Sequence, residues 1–238
     1  MRTMHRLTAT TALACAAALG LTGCFGPDGP FPELSGSEVA DKSVAALRGA
    51  NSLTVSGKIS DEGKPVEINM AVSKAGDCKG TFSGQDGSFE LIRNGEFVFI
   101  KADEPFYRSQ MKDLPKEQAD QAVKQLSGHW LKSKTSDADA KELSALCDLD
   151  ELLKDFDESK GAQKGKVTTV GDQEALTLTT KTTEGTETLL VATKGEPYLL
   201  KATITGTEAA EVTFTGINQP VKADAPAGKD VIDADQLG

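Results

Sequence analysis

The chain has 238 residues and a mass of 25.0 kDa, with 36 acidic against 26 basic side chains and a formal net charge of −10. A hydrophobic fraction of 38% suffices for one core, is too low for a polytopic membrane protein, and excludes a wholly disordered chain. The acidic balance argues against nucleic-acid binding, which needs a basic footprint. Two His leave little for a His-based metal site or His-centred catalysis.

In chain order, Arg2 and Arg6 precede an uncharged run rich in Ala and Leu, from Leu7 to Gly23, the pattern of a secretory leader. Leu21-Thr22-Gly23-Cys24 resembles a bacterial lipobox. That resemblance implies diacylglyceryl transfer to the Cys24 sulfur and cleavage before it. An ordinary leader with a chance Cys and an uncleaved anchor helix are the alternatives, but Phe25-Gly26-Pro27-Asp28-Gly29-Pro30 cannot continue a helix. Residues 1–23 therefore read as a signal peptide, 24–36 as the lipidated Cys with a flexible tether, and 37–238 as a single domain. Losing Arg2 and Arg6 leaves 24 basic against 36 acidic side chains, a charge of −12. Anionic headgroups repel such a chain, so the lipid must hold it, and two acyl chains are enough for stable anchoring.

Cys15 leaves with the leader and Cys24 is consumed by lipid, so Cys78 and Cys147 remain. In an exported, oxidising compartment the natural reading is one disulfide. It closes a loop of roughly 70 residues, worth about 4 kcal/mol in the chain-entropy model. Two free buried thiols are the alternative. There is no Cys-x-x-Cys, so a thioredoxin-like redox site has no support.

Ser35 or Ser37 can cap a first helix whose Ala40, Val44 and Leu47 share one face and which ends at Gly49. Residues 51–101 change to period 2. Leu53, Val55 and Ile59 alternate with polar residues, as do Val66, Ile68, Met70 and Val72. Turns are expected at Asp61-Glu62-Gly63, Gly76-Asp77, Gln85-Asp86-Gly87 and Asn94-Gly95, giving five antiparallel strands. Phe97-Val98-Phe99-Ile100 is apolar throughout, as in a strand covered on both faces. Residues 103–115 read as a loop, and helices follow around Ala119–Leu126, after a Ser136/Asp139 capping box and after Asp148 with Glu151. His129-Trp130-Leu131 is a short strand or an extended crossing. Residues 164–218 return to period 2 for five more strands, and the acidic tail 221–238 wraps or frays.

Strands on both sides of a helical block indicate an α+β fold. A sheet of ten or eleven strands must curl, and the amphipathic helices are the candidates to fill its concave face.

The order of several motifs resembles the actinobacterial LolA-like lipoprotein superfamily, the group of lipid-carrier lipoproteins that includes LprG and LppX. They are the lipobox, the helix ending near Ala46-Leu47, Phe89-Glu90-Leu91-Ile92-Arg93 followed by Gly95 to Lys101, Gly128-His129-Trp130-Leu131-Lys132, Leu190 to Tyr198, and Ala225-Pro226. The resemblance implies a strongly curved half-barrel sheet wrapped on helices, with an apolar cavity for acyl chains between them. No enzyme activity and no cofactor are expected, since no catalytic motif is found in the chain. A membrane-anchored, extracytoplasmic monomer that carries a lipid or lipoglycan is one expectation. A scaffold or regulatory module for another envelope protein, without a lipid ligand, is the other.

Periodicity points Val66, Ile68, Met70 and Val72 into such a cavity, with Leu143, Leu152 and Leu153 from the helices. Phe106, Tyr107 and Leu114 form a mobile lid or a packed crossover, and Trp130 sits at the mouth or in the core. Asp148, Asp150, Glu151, Asp155, Asp157 and Glu158 lack EF-hand spacing and read as a solvated helix face, not a metal site. No Gly-x-Ser-x-Gly, His-Glu-x-x-His or phosphate-cradling Gly loop occurs.

Overall fold

A computed structural model of the chain describes residues 29–61, 63–156, 160–183, 185–207 and 209–237. The leader, Cys24 and the first residues of the expected tether lie outside them. Glu33–Gly238 forms one compact unit, and that unit contains all the described helices and strands.

The first helix, α1 (Gly36–Gly49), starts where the polar signal places it. The Ser35 N–H donates to Glu38 Oε2 at 2.7 Å and the Glu38 N–H donates to Ser35 Oγ at 3.2 Å, a reciprocal capping box. Val39, Ala40, Ser43, Val44 and Leu47 form its buried face. The helix sits so close to the chain at Ala162 that a Cβ on Gly36 would lie 2.1 Å from the Ala162 carbonyl oxygen.

Five strands follow, β1 (Ser52–Asp61), β2 (Lys64–Ser73), β3 (Cys78–Gly84), β4 (Gly87–Asn94) and β5 (Phe97–Ala102), each antiparallel to the next. The helical block is α2 (Glu104–Gln110), α3 (Lys116–Leu126), β6 (Trp130–Lys134), α4 (Ala138–Ala145) and α5 (Leu149–Leu153). Next come β7 (Gln163–Val170), β8 (Gln173–Lys181), β9 (Gly185–Ala192), β10 (Leu199–Gly206) and β11 (Ala210–Thr215), and then a short β12 (Val231–Asp233). Together they make one open, curved sheet of twelve strands in the order β12-β6-β5-β4-β3-β2-β1-β11-β10-β9-β8-β7. The α+β architecture with a curved, mostly antiparallel sheet is the one expected, and the LolA-like resemblance implied it.

Four details differ from the sequence reading. The sheet has twelve strands because β12, in the acidic tail, adds to β6 in parallel register, with Val231 opposite Trp130. Residues 104–110 are helical, because Asp103 caps them and Pro105 tolerates a first turn. The cap of α4 is Asp137 and not Ser136, and its side chain makes no capping bond. Of the two expected caps, Ser35 and not Ser37 starts α1, so that the helix begins at Gly36, one residue before the expected domain boundary.

Register fixes the two faces of the sheet. Cross-strand partners Phe214, Val55, Met70, Gly80, Leu91 and Ile100 line up across six strands and mark the inner face, where the helices lie. Leu53, Met70, Leu91, Leu178, Leu189 and Leu199 are wholly buried there with Leu47 of α1 and Leu153 of α5. Each such side chain contributes about 1.5–3 kcal/mol. The odd residues of β5 point the other way. Phe99 packs with Ile92, Ala223 and the half-buried Phe97, Trp130, Val221 and Val231. The tail therefore covers the outer face of β4 to β6, which explains why β5 is apolar at every position. Asn94 Nδ2 donating to the Ala223 carbonyl at 2.6 Å helps hold the tail there.

Candidate functional site

The inner face is filled along most of its length and opens at one end. There the tips of the β1–β2 and β3–β4 hairpins, helix α2 and the α4–α5 corner enclose a groove of about 450 Å³. Ile59, Val66, Phe82, Phe89, Phe106 and Leu146 supply its apolar wall. Ser60, Ser83, Ser109, Gln85 and Gln110 line it with neutral polar groups, and Lys64 with Asp86 completes the lining at 2.6 Å. The volume lies within the range of ligand pockets, about 300–1,000 Å³.

The wall is built from a ladder of aromatic rings. Phe82 and Phe89 are opposite each other on β3 and β4 and stack with centroids 4.6 Å apart. Phe89 meets Phe106 of α2 at 5.1 Å, and Phe106 meets Tyr107 edge-on at 5.7 Å. The ladder exists because α2 is pinned to the start of β4. Asp103 Oδ1 accepts from the Phe106 N–H at 2.9 Å, while Oδ2 accepts from the Ser88 N–H at 3.0 Å and the Ser88 hydroxyl at 2.7 Å.

Burial alone would raise the Asp103 carboxyl. The Ser88 hydroxyl and the Phe106 and Ser88 N–H groups outweigh it, so the carboxyl titrates below its ordinary range. A depressed carboxylate contributes stability that is complete above its unfolded value near pH 4 and is lost as pH falls through the lowered folded value. Replacing Asp103 by Asn, whose Nδ2 cannot accept from the Ser88 N–H, is therefore expected to lower stability at pH 7 by about 1 kcal/mol and to flatten the loss of stability below pH 4. Urea titrations of both proteins at neutral and acidic pH check this. Parallel curves for the two proteins would refute the assignment.

The residues expected to line a cavity divide along the strand. Val66 lines the groove. Ile68 is half-buried on the same face, while Met70 and Val72, 1% and 0% exposed, belong to the closed core with Leu153. Leu143 and Leu152 are half-buried and are not part of the groove lining. Phe106, expected as a lid, is a wall residue. Tyr107 lies behind it among Ala102, Val123, Met111 and Leu126, its hydroxyl buried without a hydrogen-bond partner, and burial pushes the phenol up. Leu114 is 48% exposed, between α2 and α3. Trp130 is on the outer face beneath the tail and is not brought together with Phe106 and Tyr107. Ile59, Phe82, Phe89 and Leu146 are wall residues that are not among those expected to line a cavity, although Ile59 belongs to the alternating pattern of β1.

Cys78 of β3 and Cys147 form a disulfide, with Cα atoms 5.4 Å apart, and both residues are wholly buried. It ties the α4–α5 corner, and with it Leu146, onto the sheet. Of the acidic cluster, Asp148 caps α5, accepting from the Asp150 and Glu151 N–H groups. Glu151 pairs with Lys154 at 2.8 Å and Asp150 with Arg48 at 3.8 Å. Asp157 and Glu158 lie outside the described residues. Among the described residues no group of His, Cys, Asp or Glu is arranged to hold a metal ion. No described helix is long and apolar enough to cross a membrane.

No protein-family model matches the chain, and no curated protein matches it by sequence. Its fold is similar to that of LprF from Mycobacterium bovis, at 11% identity and a TM-score of 0.54, over 81% of this chain and 97% of that one. The Mycobacterium tuberculosis lipoprotein LppX matches over 79% of this chain and 97% of its own, at 17% identity and a TM-score of 0.49. At such identity the likeness is one of fold, and fold alone does not fix function.

Proposed function

We propose that the chain is an extracytoplasmic lipoprotein, held to the membrane by diacylglycerol on Cys24, that carries an acyl chain in the groove between its sheet and α2. The observation that supports this most is the groove itself: about 450 Å³, walled by six large apolar side chains and placed at an open end of the sheet. Burying a chain there is favourable by about 0.8 kcal/mol per methylene. The basic and apolar leader ending in Leu21-Thr22-Gly23-Cys24 supports the anchor. A buried disulfide fits an oxidising, exported setting. The lining offers apolar surface and neutral polar groups, so the reading is of a binding protein rather than an enzyme.

Two experiments test the two halves of this reading. Cys24→Ala is expected to abolish incorporation of labelled fatty acid into the protein, and unchanged labelling would remove the anchor. Native mass spectrometry of the chain 25–238, which lacks Cys24, is expected to show a lipid-bound species. This fragment keeps the whole compact unit and its core. A species that is always empty would favour the scaffold alternative.

A further inference from the structure

The groove's lining also restricts the kind of amphiphile it accepts. Resting on the reading of the groove as an acyl-chain site, we propose that its ligand has a single chain and an uncharged, hydrogen-bonding head, as a monoacylglycerol does. Of the fifteen lining residues only Lys64 and Asp86 ionise, and they are bonded to each other at 2.6 Å. The other polar side chains, three Ser and two Gln, are neutral. Lys64 and Asp86 are about half exposed and already paired with each other, so an ionic head finds no unpaired countercharge in the lining to favour it over a neutral one. Neutral hydroxyls would find both donors and acceptors.

The sheet's outer face behind the groove, where Lys58 is opposite Glu211 and Ser60 opposite Pro65, has its charges paired as well. A second depression of about 410 Å³ shares Ile59 and Ser60 with the groove and reaches Thr203 and Thr207 at the β10–β11 hairpin. Its charged members are also committed, Lys58 to Glu67 at 2.8 Å and Glu211 to Lys201 at 2.7 Å. Head room is available at the groove's own open tip, among Ser60, Ser83 and Gln85. Room for a second chain is not, because inward of Val66 and Ile68 the same face is closed by the buried Met70 and Val72.

The test is calorimetric titration of delipidated 25–238 with monolaurin, laurate and a two-chain phosphatidylglycerol, each below its aggregation concentration. Monolaurin is expected to bind with one-to-one stoichiometry and about tenfold more tightly than laurate or the two-chain lipid. Asp86→Asn, which makes the rim more positive by one charge, is expected to strengthen laurate binding about threefold and so to narrow its gap to monolaurin. Laurate or phosphatidylglycerol binding as tightly as monolaurin would overturn the inference while leaving the groove reading intact. Failure of all three to bind would overturn both.

Discussion

Replacing Cys78 and Cys147 together by Ala is expected to lower stability by about 2–5 kcal/mol and to abolish ligand retention. The two cysteines are 69 residues apart, so the bridge closes a long loop and removes much conformational freedom from the unfolded chain. Its structural effect is local as well. Helices α4 and α5 are eight and five residues long, and helices that short are not stable alone in water. α4 touches the sheet at β5 and α5 touches α1, so the disulfide is the covalent tie between this corner and β3. Leu146 adjoins Cys147 and forms part of the groove wall, and freeing the corner would open that wall. Urea unfolding of the oxidised protein and of the double variant measures the stability term. Equal midpoints and equal slopes would show that the bridge adds nothing.

Gly87→Ala is expected to be the most damaging conservative substitution near the groove, costing about 2–4 kcal/mol. Gly87 has φ +117°, a conformation that side chains rarely adopt. The added Cβ would lie 2.2 Å from the Phe106 backbone nitrogen and 2.5 Å from Asp103 Oδ1. Those two atoms make the capping bond that starts α2. The helix must therefore lift, the cap is lost, and Phe106 leaves the aromatic wall. Gly95→Ala is the control. Gly95 also has positive φ, +58°, but open space around its Cβ position, so it suffers only the backbone cost of about 1 kcal/mol. Thermal unfolding of the two variants separates steric from conformational strain. Equal losses would mean that α2 does not depend on its contact with Gly87.

The parts of this fold that the sequence discloses are those governed by period and turn chemistry. Val66, Ile68, Met70 and Val72 alternate cleanly, and the structure puts all four on one face through pairing with Ile59, Gly57, Val55 and Leu53. The Gly-centred turns and the Ser35–Glu38 box are similarly local. Depth along a strand is not local. Val66 and Val72 have the same side chain and the same face, yet one lines the groove and the other is sealed, because helices cover only part of the sheet. Period 2 identifies a face and is silent on what covers it.

Helix α2 escaped notice for a related reason. It has seven residues, its apolar Phe106 and Tyr107 are adjacent rather than spaced, and its stability comes from the Asp103 cap and from packing on Phe89. Trp130 is on the outer face because it alternates in register with Lys101, a residue of the tail-covered side. A usable signal was present in Phe82 and Phe89, which bracket the Gly84–Gly87 turn. Two aromatic residues equidistant from a hairpin tip must face each other across it.

The central claim is that the groove beside Val66 holds a chain, and filling the groove tests it most directly. Val66→Trp places a bulky ring in the groove at a half-buried strand position, away from the sealed core. Native mass spectrometry of 25–238 and of its Val66→Trp variant, both lacking Cys24 and purified alike, should show one lipid per protein in the first and none in the second, with both folded. Equal lipid loading of the two would contradict the account.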